Sequence, residues 1–226
     1  LYNIRVGSDE YAKANESYGL TTLKSMHVKH LKGDEAEGRH DAVFSFTGKS
    51  GKNWDITIED DDLVDLILKT NRLGAKDADL FMYISEAGNE VDLKAEHINQ
   101  YIRDSSGMGF TAKNFRTWAA TSRCAERLAF LSSQRTASEM KTWLKSIPSV
   151  ESMDKLWTSG DWKVPATDAG RNKAMLAVID TVAADLGNTR AVCRSSYIHP
   201  WFLDAWADGR LGQAGPSSLT CGPWAT

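Results

Sequence analysis

Hydrophobic positions along the chain change their period at Asp60, and the change separates a strand-bearing region from a helical one. Residues 9–17, rich in Ala, Lys and Glu, read as a short helix. Three alternating stretches follow, at residues 20–28, 43–46 and 54–58, and each predicts a strand. The last two flank Gly48-Lys49-Ser50-Gly51-Lys52-Asn53, a Gly-rich turn that predicts a β-hairpin in a small antiparallel sheet. The charged segment 29–41 predicts an exposed loop.

From Asp60 onward the spacing is helical. Asp60-Asp61-Asp62 offers an N-cap and acids matched to a helix dipole, ahead of Leu63, Leu66 and Ile67. Residues 95–103 continue the pattern. Residues 111–130 form the clearest helix, with Thr111 as N-cap and Phe115, Trp118, Ala119 and Leu128 near one stripe that predicts its core face. Residues 138–146 and 169–186 are further helices, the second closed by Gly187. Residues 194–207 read as helical with a kink or restart at Pro200. From Asp208 onward four Gly and two Pro predict a loose tail. The fold class is therefore α+β: a mostly helical domain over residues 1–207 with a small antiparallel β-sheet near its N-terminus, then a tail at 208–226.

Composition narrows the class further. With 226 residues, 42% hydrophobic and 25% charged, the chain has the make-up of a water-soluble globular protein. No run of eighteen apolar residues exists, which excludes a helical membrane span. The first residues lack a signal-peptide pattern and an initiator Met, so the chain reads as a piece of a longer protein. Cys124, Cys193 and Cys221 form no C-x-x-C pair, and their odd number points to a reducing cytoplasm. His27 and His30 lack nearby ligand partners, so no metal site is expected. The net charge of −3 is unusual for a nucleic-acid-binding protein, yet residues 103–145 hold eight Lys or Arg against three acids. Such a local excess suits a phosphate backbone, and it equally suits a solvated helical face.

Gly48-Lys49-Ser50 invites a phosphate-loop reading, but Val43 stands where that motif requires Gly, and a strand pattern follows where it requires a helix. A different chemistry is written in Gly187-Asn188-Thr189-Arg190-Ala191-Val192-Cys193-Arg194-Ser195-Ser196-Tyr197. A tyrosine is a weak nucleophile at neutral pH, since its phenol titrates near ~10. Attack by Tyr on a phosphodiester builds negative charge on the non-bridging oxygens, which bidentate guanidinium groups match in geometry. It also leaves a 5′ alkoxide that needs a proton. Two arginines, a further hydrogen-bond donor and a lysine acid are therefore required.

Matching segments occur in order. Asn188 lies nine residues before Tyr197, which resembles the nucleophile segment of type IB DNA topoisomerases. Asn3-Ile4-Arg5-Val6-Gly7 with Tyr18-Gly19-Leu20-Thr21-Thr22-Leu23 resembles the family segment bearing the first arginine. Phe46-Thr47-Gly48-Lys49-Ser50-Gly51-Lys52 resembles its lysine hairpin, and Lys113-Asn114-Phe115-Arg116-Thr117-Trp118 resembles the segment with the second arginine. Singly, each residue has an ordinary explanation: a terminal surface charge, a solvated turn lysine, an ion-paired arginine, a turn asparagine, a core tyrosine. Five in family order over residues 3 to 203 carry the resemblance.

The resemblance implies the fold that these enzymes share with tyrosine recombinases. It implies that Tyr197 attacks the scissile phosphate to form a 3′-phosphotyrosyl bond, that Arg5 and Arg116 clamp its oxygens with Asn188, and that Lys49 protonates the leaving oxygen, with Lys52 the competing choice. Lys52, Lys113 and Arg123 become DNA-backbone contacts. The partner implied is double-stranded DNA, met by a monomer in a nucleoid-associated, cytoplasmic setting, with no cofactor, no ATP and no metal. Family members carry a further amino-terminal clamp domain, and this chain starts after it, so weak, salt-sensitive DNA binding is expected. Asn at 188 points to the bacterial-like branch. The alternative, a tyrosine recombinase, usually places its second arginine in His-x-x-Arg, where this chain has Lys113-x-x-Arg116.

Overall fold

The computed structural model describes residues 3–32, 40–71 and 76–212. It is mostly helical with small antiparallel sheets, and it divides into two compact units, Leu1–Lys113 and Asn114–Thr226. Among the described residues no helix is long and apolar enough to cross a membrane.

The first unit opens with α1 (Asp9–Asn15), then builds an antiparallel sheet of β1 (Val28–Lys32), β2 (His40–Gly48) and β3 (Lys52–Ile58) in that order. Alternation sets the buried face. Phe44 faces Ile56 and Ala42 faces Ile58 in the β2–β3 register, and all four are buried. The helix α2 (Asp61–Asn71) adds Val64 and Ile67 to this core, with Leu23 and Leu80. Its start is fixed as the acids predicted: the Asp60 carboxylate accepts from the Leu63 amide at 3.0 Å. A second hairpin, β4 (Met82–Ile84) with β5 (Glu90–Asp92), and α3 (Ala95–Ser106) complete the unit.

Two expectations fail here for local reasons. Residues 20–28 form no strand before Val28, but two tight 3₁₀ turns, Leu20–Thr22 and Ser25–His27. The Thr22 hydroxyl accepts from the Gly19 amide at 2.9 Å, and His27 Nδ1 accepts from the Lys24 amide at 3.0 Å. These side chains offer the backbone closer partners than a ladder does. The segment 29–41 is likewise strand at both ends, since β1 runs to Lys32 and β2 starts at His40. Its middle, residues 33–39, lies outside the described residues.

The second unit is helical: α4 (Ala112–Leu131, entering from the end of the first unit), α5 (Ala137–Lys145), α6 (Glu151–Leu156), α7 (Asp168–Leu186), α8 (Arg190–Ser196) and α9 (Pro200–Ala207). The short α6 and the β4–β5 hairpin have no counterpart in the sequence pattern. The central α7 buries residues on several sides, including Val178, Ile179, Val182 and Leu186. Pro200 does not kink a continuous helix; it opens α9 at its first turn, with Tyr197 ending α8. After 208, Gly209 and Arg210 are exposed, and Leu211 is 4% exposed in a turn at Arg210–Gly212. Residues 213–226, with Cys221, lie outside the described residues.

Of the predicted α4 stripe, Ala119 and Leu128 are buried, but the aromatics are not. Phe115 and Trp118 are 60% and 65% exposed, while Arg116, Ala120, Thr121, Cys124, Arg127, Leu128 and Leu131 are buried. The period is right, but polar side chains with internal partners occupy the face that hydrophobicity alone assigns to aromatics. Leu128→Ala should therefore lower stability by about 3 kcal/mol, whereas Phe115→Ala should change it by about 0.5 kcal/mol or less. Urea unfolding monitored in the helical unit distinguishes this arrangement from an aromatic core, which requires the opposite order.

Candidate active site

In the first unit, Arg5 sits half-buried on a segment sewn to the turn at residues 19–22. Its carbonyl accepts from the Leu20 amide at 2.7 Å, and the Val6 carbonyl accepts from the Thr21 amide at 2.7 Å and the Thr21 hydroxyl at 2.9 Å. The two strands of chain approach so closely that a Cβ on Gly19 would lie 2.7 Å from the Arg5 oxygen and 2.6 Å from Gly7 Cα. One residue earlier, the Tyr18 amide donates to the Thr47 carbonyl of β2 at 2.8 Å. The Arg5 segment and the lysine hairpin are thus fastened to the same short stretch, residues 18–20.

Lys49 is exposed in the hairpin turn, its Nζ 5.5 Å from the centre of the Tyr11 ring. Lys52 is exposed where β3 begins, 5.5 Å from the Trp54 ring. Gly48 makes room for that indole, because a Cβ there would fall 2.7 Å from Trp54 Nε1. A strand follows this turn, so Gly48-Lys49-Ser50 is no phosphate loop. His27 is buried against Tyr18, and burial, aided by the charge of Lys24, holds its pKa below the ordinary value. It serves as a neutral cap for a turn.

In the second unit Arg116 lies beside Tyr197 and bonds the carbonyl of Leu186, two residues before Asn188. The α7 helix ends on Gly187 in the left-handed conformation, φ 63°. The Asn188 amide reaches back to the Ala183 carbonyl at 2.8 Å and the Gly187 amide to Ala184 at 3.2 Å, a Schellman closure that sets the position of Asn188. Arg116 is 7% exposed and donates through Nη2 to the Leu186 carbonyl at 2.8 Å. Its Cζ lies 5.5 Å from the centre of the Tyr197 ring. Tyr197 is 9% exposed and caps α8. Arg190 Nε, at the start of α8, bonds the Asp180 carboxylate at 2.6 Å, which ties α8 to α7 and holds the Asp180 pKa below the ordinary carboxylate value.

The basic segment 103–145 is not one exposed stripe. Arg127 is buried, ion-paired to Asp185 at 2.7 Å and bonded to the Thr181 hydroxyl at 2.9 Å. Arg123 lies 3.7 Å from the same carboxylate. Arg135 bonds the Phe130 carbonyl at 2.9 Å and lies over its ring. Lys113, Lys141 and Lys145 remain exposed. Sequence reading missed Asp185 and Thr121 as organisers of this region, since neither belongs to a motif.

Cys193 and Cys124 are fully buried thiols. Burial pushes Cys193 up to about 11 and Cys124 up to about 12, so both stay protonated at neutral pH and resist oxidation.

The model of the eukaryotic DNA topoisomerase I catalytic core matches residues 2–203 of this chain. DNA topoisomerase 1B of Acanthamoeba polyphaga mimivirus is 36% identical over 150 residues, which are 65% of this chain and 42% of that relative. The chain thus aligns with less than half the length of this relative.

Two outcomes follow from the geometry. In a Cys221→Ser background the native chain should titrate no thiol with DTNB at pH 8, and both remaining cysteines should react in guanidinium; rapid native reaction contradicts their burial. Gly19→Ala should destabilise the first unit by about 2 kcal/mol, seen as faster hydrogen exchange at the Leu20 and Thr21 amides.

Proposed function

The chain belongs to the DNA topoisomerase I catalytic-core family, and we propose that it relaxes supercoiled duplex DNA by transient cleavage of one strand. Tyr197 attacks the scissile phosphate, forming a 3′-phosphotyrosyl bond and releasing a 5′ hydroxyl. Arg116 and Arg5 bind the non-bridging oxygens as charge builds there, and Asn188 adds a hydrogen bond. Lys49 donates a proton to the leaving oxygen. The cut strand then turns about the intact one, and the 5′ hydroxyl attacks the phosphotyrosine to reseal the backbone. The phosphotyrosyl bond conserves the energy of the broken one, so torsion in the DNA drives the cycle without ATP or a metal ion.

The observation that supports this reading is Arg116, which donates to the Leu186 carbonyl just before Asn188 and lies 5.5 Å from the centre of the Tyr197 ring, although both are far from it in sequence. Lys52, Lys113 and Arg123 supply further contacts to the backbone and position the duplex. On this reading residues 1–207 are the catalytic region, with the fold shared with tyrosine recombinases, and the protein acts as a monomer in a reducing, nucleoid-bearing cytoplasm.

A nicked suicide duplex labelled on the strand to be cut tests this directly, in EDTA and without ATP. After an SDS quench the parent chain should carry the label covalently, and Tyr197→Phe should carry none. Arg116→Ala should cut about 10²–10³-fold more slowly. Label on the Tyr197→Phe chain, or none on the parent at high enzyme and low salt, overturns the assignment. Relaxation of a plasmid with no joined products separates topoisomerase from recombinase chemistry.

A further inference from the structure

We propose that Thr121 is a positioning residue for the Tyr197 nucleophile, an inference that rests on the reading above. Tyr197 lies in the break between α8 and α9. Its own amide, and that of Ile198, both point back to the Cys193 carbonyl, at 3.1 and 3.2 Å. Its carbonyl and the His199 amide face a different element. The Thr121 hydroxyl of α4 donates to the Tyr197 carbonyl at 3.0 Å and accepts from the His199 amide at 3.1 Å. One buried hydroxyl therefore uses its donor and its acceptor to grip the backbone on both sides of Ile198.

The consequence is geometric. Thr121 lies five residues after Arg116 on the same helix, and Arg116 is the residue facing the Tyr197 ring. The helix that carries the phosphate-binding guanidinium also fixes the backbone of the nucleophile. Tyr197 has φ −131° and ψ −24°, neither helical nor extended, so the regular structure on either side does not dictate the direction of its side chain. The hydroxyl supplies that missing constraint. Val offers the same shape without the hydrogen bonds, Ser restores the hydroxyl, and Cys fills the space with a much weaker donor and acceptor.

The test uses the full chain and the suicide duplex under single-turnover conditions. Affinity for the duplex is measured separately by fluorescence anisotropy, and protection of the His199 amide by hydrogen exchange. Thr121→Val should cut about 10²-fold more slowly, as expected for a misplaced nucleophile, with duplex affinity unchanged and His199 protection lost. Thr121→Ser should restore both rate and protection. Thr181→Val, which removes a buried hydroxyl elsewhere in the same core, should retain the parent rate. If Thr121→Val does not fold, Thr121→Cys takes its place, and slow cutting by Cys against fast cutting by Ser supports the proposal. Near-parent cutting by Val or Cys despite lost His199 protection overturns it, as does an equal loss in Thr181→Val. A parent chain that never forms the covalent adduct refutes the functional reading itself, which separates the two failures.

Discussion

A buried guanidinium set against the end of a helix organises the candidate site. Arg116 donates to the Leu186 carbonyl, one of the last acceptors of α7, where helix geometry leaves carbonyl groups unsatisfied and the dipole is negative. That environment compensates a charge whose burial is otherwise costly. The Schellman closure then reverses the chain so that Asn188 follows within two residues of the carbonyl Arg116 holds. Tyr197 returns to the same place through α8, anchored by Arg190 on Asp180. A lysine at 116 would lack the planar fork that can bond the carbonyl and still, on the proposed reading, offer further donors to a phosphate.

The first unit solves an analogous problem with backbone. Arg5 belongs to an irregular segment, and such segments are usually mobile. Here the Arg5 and Val6 carbonyls accept from the 20–21 turn, and Gly19 removes the side chain that would hold the two runs apart. Thr22 closes the turn that replaces a strand at residues 20–22, and Leu20 and Thr21 of that turn make this stitch. Local hydrogen bonding defeats regular structure at the place where regularity would leave Arg5 unattached.

This explains which parts of the molecule were legible in the sequence. Elements defined by alternation, by an Asp cap or by a terminal Gly, such as β2, β3, α2 and α7, were readable because one local signal determines each. The 20–28 segment was misread because Thr22 and His27 act through their polar atoms, which a hydrophobic pattern does not register. The face of α4 was read only in part, at Ala119 and Leu128, for the same reason: Arg116, Thr121 and Arg127 are core residues by virtue of partners sixty or more residues distant in two of the three cases. Candidate residues could be named from motif order, whereas the pairing of Arg116 with the α7 terminus required the fold.

Charge gives the same lesson in energetic form. The excess of basic residues between 103 and 145 suggested an electrostatic track, yet Arg116 and Arg127 are inside, Arg123 and Arg127 share Asp185, and Arg135 is turned onto Phe130. Several cations in this segment thus serve internal geometry and add little to the long-range field. For phosphoryl chemistry that distribution is favourable. A desolvated, fixed guanidinium stabilises developing charge more strongly than a hydrated one, because it does not reorient as the reaction proceeds. A net charge of −3 and a proposed site built around a buried arginine are therefore compatible: field strength at one phosphate depends on preorganisation and low local polarity, and total charge is a separate property.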